Sequence, residues 1–107
     1  MKALVLAAAL ATASSAVLAG GNASEGEKKS LTCQACHGKD GSTPIDPSYP
    51  KLAGQHGDFL VQALKDYKSG KRKNAIMGSQ AAGLSSADIE NLAAYYASLP
   101  GTLKTTK

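Results

Sequence analysis

Between Asp58 and Ser69 the apolar side chains Leu60, Ala63, Leu64 and Tyr67 fall at i, i+3, i+4 and i+7, one face of a helix, and Gly70 supplies its stop. The same spacing at Ile89, Leu92, Ala93 and Tyr96, with Tyr95 beside the stripe, predicts a last helix. It opens on the capping pattern Ser85-Ser86-Ala87-Asp88 and ends at Pro100-Gly101. A first helix of about three turns is expected from Ser24, the cap of Ser24-Glu25-Gly26-Glu27, through Cys36 to Gly38. Residues 39–57 carry Gly41, Ser42, Pro44, Pro47, Pro50, Gly54 and Gly57 and read as a long loop, ordered or disordered. Residues 71–83 show no clear period, which leaves Met77 in an irregular segment. No stretch alternates with period two and nothing repeats. The expected fold is all-α, three main helices joined by long loops in one domain of residues 20–101. Loops of that length in so small a domain are uncommon unless they wrap something functional.

The N-terminus follows a different pattern. Lys2 precedes the apolar run Leu4 to Ala11, and Ser14-Ser15-Ala16-Val17-Leu18-Ala19 supplies a small-residue close. That order predicts an export signal over residues 1–19, cleaved after Ala19 or as late as Ala23. The run is alanine-rich and broken by Thr12, Ser14 and Ser15, short of the roughly 20 apolar residues a membrane span needs. The mature product is expected to be soluble, with residues 102–107 a flexible basic tail.

Charge and composition narrow the choice of partners. The chain has 12 basic and 8 acidic side chains, a formal +4, and cleavage would remove one base, Lys2. So mild an excess, with no aromatic-interleaved basic platform, gives no reason to expect nucleic acid. One Phe, four Tyr and no Trp are a thin aromatic supply for a domain that must fold on its own, so help from a crosslink or a cofactor is expected.

Cys33-Gln34-Ala35-Cys36-His37 is the C-x-x-C-H arrangement that marks attachment of c-type haem. On a helix, positions i, i+3 and i+4 share one face, so both sulfurs can reach one porphyrin edge while the imidazole reaches the iron. Each alternative lacks a companion feature. A redox dithiol follows a strand in a βαβ unit, a structural zinc site takes four ligands where only His56 remains, and a disulfide here would close a two-residue loop and constrain almost nothing.

With His37 on one side of the iron, the other axial ligand is sought among the sulfur and nitrogen side chains. Met77 is the one methionine left after cleavage, and its loop position suits a ligand better than a core filler. His56, beside Gly54, Gln55 and Gly57, is the rival, and its ordinary reading is a solvated loop histidine. Thioether ligation raises the reduction potential and a second histidine lowers it. An iron with both axial positions filled has no place for a substrate, so electron transfer is expected rather than catalysis.

These residues resemble the class I cytochrome c family, in particular its small bacterial single-haem members and the similar halves of its two-haem members. The likeness runs from about Ser24 to Leu99. Pro50-Lys51-Leu52-Ala53-Gly54 is similar to the family's P-x-L-x-G segment. The resemblance implies that the Pro50 carbonyl orients His37 and that Leu52 packs on the haem. Asn74-Ala75-Ile76-Met77 is similar to the sixth-ligand loop, which implies His37 and Met77 as axial ligands of one covalent haem c. The first and last helices of the family cross where a small residue meets an aromatic, here Gly26 against Tyr95 or Tyr96. Where some members use Trp to hold a haem propionate, Arg72, Asn74 and Tyr67 are the candidates.

The function so implied is a soluble periplasmic electron carrier, a monomer, exchanging electrons with a reductase and with a terminal oxidase or reductase. Two alternatives stand beside it, the cytochrome subunit of a periplasmic oxidoreductase and a haem-based ligand sensor. Lys65, Lys68, Lys71, Arg72 and Lys73 cluster near the end of the second helix. A solvated helix end explains them, and a collar that steers an acidic partner is the functional reading.

Overall fold

The computed structural model describes residues 20–103, so the expected export signal and residues 104–107 of the expected tail lie outside the described residues. The fold is all-α, as expected, with five helices instead of three: α1 (Ala23–Lys29), α2 (Leu31–His37), α3 (Gly57–Ser69), α4 (Ala75–Ala82) and α5 (Ser86–Ser98). Two departures account for the difference. The first predicted helix divides at Ser30, which is fully buried; its Oγ donates to Glu27 O at 2.7 Å and accepts from Gln34 Nε2 at 2.9 Å. A serine that hydrogen-bonds the preceding turn competes with the helical ladder and bends it. The cap of α1 is Asn22 instead of Ser24, its side chain accepting from Glu25 N at 2.9 Å.

The second departure is α4. The segment around Met77 is helical, capped by Asn74, whose side chain accepts from Met77 N. Its sequence has no period because only Ala81 is buried, so no repeating apolar face is required. Elsewhere the expected ends hold. Gly70 stops α3 in the left-handed conformation at φ 87°, and Ser85 and Asp88 form a reciprocal capping box at α5.

Helix α5 is the centre of the packing. Helix α1 crosses it on one side, α3 lies against it on another, and α4 rests on α3. The buried core joins Leu60 of α3 to Leu92, Ala93 and Tyr96 of α5, with Leu52, Val61, Leu64, Leu84 and Leu99 packed around them. The crossing of α1 and α5 is close enough to require glycine at Gly26. A Cβ there would collide with the Asn91 carbonyl oxygen and come within 2.8 Å of Tyr95 Cβ. The small residue expected at this crossing is therefore Gly26, and the aromatic it meets is Tyr95.

The Asp88 carboxylate is held below its ordinary value of 3.8, first by the backbone N–H of Ser85 and further by the Ser85 hydroxyl and Lys29. Because the folded value is the lower one, this contribution is present above the ordinary value and is lost as the pH falls through the folded one. Asp88→Asn is expected to lower Tm by a few degrees at neutral pH and to flatten the acid limb of a Tm titration below about pH 4. An unchanged acid limb would remove Asp88 from the account.

Candidate functional site

Cys33, Cys36 and His37 stand at i, i+3 and i+4 of α2 along a cavity of about 770 Å³. The volume is in the range of roughly 300–1,000 Å³ typical of small-molecule and cofactor sites. Its other walls are mostly apolar. Helix α3 contributes Phe59, Leu60, Leu64 and Tyr67, α4 contributes Ile76 and Met77, α5 contributes Leu92 and Tyr96, and the long loop contributes Pro50 and Leu52.

His37 is buried, and its Nδ1 lies 2.8 Å from the carbonyl oxygen of Pro50. A carbonyl only accepts, so Nδ1 carries the proton and Nε2 is left with the lone pair that a metal binds. The loop that delivers Pro50 is itself fastened. Leu52 N and Ala53 N both donate to Gly41 O, at 2.8 and 3.0 Å, and Gly54 N donates to Tyr96 O of α5 at 2.9 Å. The imidazole thus takes its orientation from backbone that is tied to the core helix.

Cys33 and Cys36 are free and half-buried. Burial pushes the Cys33 thiol up from its ordinary value of 9.0. Redox-active C-x-x-C thiols are shifted in the opposite direction, toward thiolate. That direction gives the dithiol alternative no support. Burial likewise raises the Tyr96 phenol well above its usual range and keeps it neutral.

Met77 is half-buried on the first turn of α4 and lines the cavity. His56, its rival, is exposed at the start of α3 and is not among the lining residues. The structure thus brings Cys33, Cys36, His37, Pro50, Leu52 and Met77 to one cavity and leaves His56 outside it. Of the propionate candidates, Arg72 lies with its guanidinium carbon 4.7 Å from the centre of the Tyr67 ring, a cation–π contact. Both line the cavity, as does Asn74, whose side-chain oxygen is engaged in the cap of α4.

Phe59 and Ile76 are large apolar lining residues that sequence reasoning missed. Phe59 falls off the apolar stripe of α3 and Ile76 sits in the segment without a period, so neither belongs to a face that packs on another helix. A large apolar side chain standing off the stripe is the available signal, because a helix between a core and a cofactor has two apolar sides. Leu103 also lines the cavity, although it falls in the expected tail.

The donor set fits a covalently attached haem. Two thiols stand one helical turn apart, an imidazole is already oriented, the walls are apolar, and Arg72 and Lys51 supply positive charge at the cavity. Fold and site together define a covalent haem protein of the electron-carrying class. The chain belongs to the cytochrome c family, whose profile matches residues 23–100, and haem c is its cofactor. It is 47% identical over 81 residues to cytochrome c-554(548) of Halomonas halodenitrificans, covering 73% of this chain and 96% of the relative. It is 36% identical over 76 residues to the cytochrome subunit of sulfide dehydrogenase of Chlorobaculum tepidum, covering 71% of this chain and 67% of that one. The crystal structure of reduced recombinant cytochrome c4 from Pseudomonas stutzeri superposes with a TM-score of 0.71 at 38% identity, covering 77% of this chain and 47% of that chain. The chain therefore spans about half the length of the cytochrome c4 it matches. Its cytochrome c4 and c-554 relatives are electron carriers, not enzymes.

Proposed function

We propose that this chain is a soluble, monomeric periplasmic electron carrier in which Cys33 and Cys36 bind the haem covalently and His37 and Met77 are its axial ligands. The observation that supports this reading is that His37, oriented by Pro50, and the Met77 segment line the same apolar cavity while His56 does not. When bound, the haem supplies reversible one-electron exchange between ferrous and ferric iron. His37 and Met77 together would occupy both axial positions, which leaves none for a substrate. The apolar side chains of α3 and α5, with Leu52 from the loop, line the cavity and would keep water from the bound haem.

Export is supported by the charged, apolar and small-residue order of residues 1–19. Among the described residues no helix is long and apolar enough to cross a membrane. Partners are expected to be a reductase and a terminal oxidase or reductase with acidic surfaces facing Lys65, Lys68, Lys71, Arg72 and Lys73. The likeness to the cytochrome subunit of sulfide dehydrogenase favours a second reading, that the chain is the electron-accepting subunit of an oxidoreductase. Co-purification with a large catalytic subunit separates the two.

Visible spectra test the ligation. The oxidised protein is expected to show a weak red sulfur-to-iron band, and the reduced protein to ignore carbon monoxide. Met77→Ala is expected to keep the haem covalently attached, abolish that band and admit carbon monoxide. Its potential should fall on the order of tenths of a volt, inside the roughly 0.8 V over which axial ligands act. Carbon monoxide binding by the unmodified protein would instead favour the ligand sensor.

A further inference from the structure

Helix α4 is fastened unevenly. At its C-terminal end Ala81 is fully buried, its carbonyl accepts from Leu84 N at 3.0 Å, and Lys68 Nζ of α3 donates to the Leu84 carbonyl. At its N-terminal end Ala75 and Ile76 are exposed, and so are the residues leading in, Gly70 to Lys73, of which Arg72 is held to α3 by its backbone N–H on the Asp66 carbonyl and its contact with Tyr67. Among the described helices α4 packs against α3 alone. The first turn is closed by Asn74. Its side-chain oxygen accepts from Met77 N at 2.9 Å, and its carbonyl accepts from Gly78 N at 2.7 Å. The hydrogen bond of the cap therefore ends on the backbone of Met77 itself.

We infer that Asn74 is a positioning residue for Met77: its cap holds the first turn of α4 against the cavity and sets how often the thioether leaves its place. The inference rests on the ligation by Met77 proposed above. Opening pivots at Ala81, the one residue of α4 buried in the core, so the ligand end can swing while the rest of the fold stays intact. Asn74 also lines the cavity, and a direct contact between its amide and a propionate would be a different role. The choice of substitution separates them. Serine and aspartate cap helices about as well as asparagine, whereas aspartate would repel a propionate and serine is shorter.

Imidazole added to the oxidised holoprotein takes the position that Met77 vacates, so its apparent affinity reports the fraction of molecules with α4 open. Loss of an asparagine cap shifts a helix-end equilibrium by about five-fold, within a range of about two- to thirty-fold. Asn74→Ala is therefore expected to bind imidazole about five-fold more tightly than the unmodified protein. Asn74→Ser and Asn74→Asp should return the affinity to within about two-fold of the original. Asn22→Ala, the same substitution at the cap of α1, should lower Tm and leave imidazole binding unchanged. The inference is overturned if Asn74→Ala binds imidazole like the unmodified protein, if Asn22→Ala raises the affinity as much, or if serine and aspartate fail to restore it. An unmodified protein without the sulfur-to-iron band overturns the ligation reading and this inference with it.

Discussion

The double variant Cys33→Ser, Cys36→Ser is expected to accumulate no covalent haem and no stably folded domain. Serine replaces sulfur by one smaller atom, so the substitution itself costs little packing at these half-buried positions. The loss comes from what can no longer be attached. Among the described residues the buried apolar side chains number seven, three of them Ala53, Ala81 and Ala93, and all but Ala53 and Ile89 also line the cavity, so the core is completed only when the cavity is filled. A domain of this size with so small a core does not offset the conformational entropy of its own ordering, on the order of 1–2 kcal/mol per residue for the backbone. Extraction of the purified variant with acidified acetone should leave no haem with the polypeptide, and circular dichroism should show the helical signal lost. A folded, haem-free double variant would mean that the helices support one another without the porphyrin.

The second large effect is expected at Gly26. A methyl group there meets the backbone of Asn91 and the Cβ of Tyr95 on α5, and neither is the movable end of a long side chain. Gly26→Ala gains about 1 kcal/mol of helix propensity. Gly26→Val adds bulk to the same collision and is expected to lose at least about 2 kcal/mol net, as α1 is driven off α5. For a domain of this length that is a fall in Tm on the order of 10 °C. Lys29 and Asp88, 3.5 Å apart across the two helices, should separate in the same variant. Gly83→Ala is the comparison, since no atom lies within 4 Å of a Cβ at that position. Equal stability of Gly26→Val and the unmodified protein would show that α1 can shift at the crossing without loss.

Much of this architecture is legible in the residues. Helices α3 and α5 announce themselves because each has one face on the core, and burial on one face imposes a period. Their ends are legible for a local reason, since a left-handed Gly70 and the Ser85–Asp88 box need no tertiary partner. The attachment motif is legible because its i, i+3, i+4 spacing alone puts both thiols and the imidazole on one face of a helix. What was hidden lacks such a constraint. Helix α4 buries only Ala81 and so carries no stripe, and its signal, Asn74 three residues before Met77, is a single cap. The break at Ser30 depends on whether one hydroxyl turns inward to Glu27 and Gln34, which composition does not decide. The competition between Ser24 and Asn22 for the first cap is settled from outside the helix: Asn22 N donates to the side chain of Asn91 on α5 at 2.8 Å, which favours capping at that residue.

That last contact bears on how such domains multiply. The residue that caps α1 is tied to Asn91 of α5, and α5 itself is closed at Leu99. About 12 Å of helix axis separates the two points, a gap that roughly four residues of extended chain can cross. Both points lie along one helix, so joining a second copy there would not require α5 of either copy to unwind.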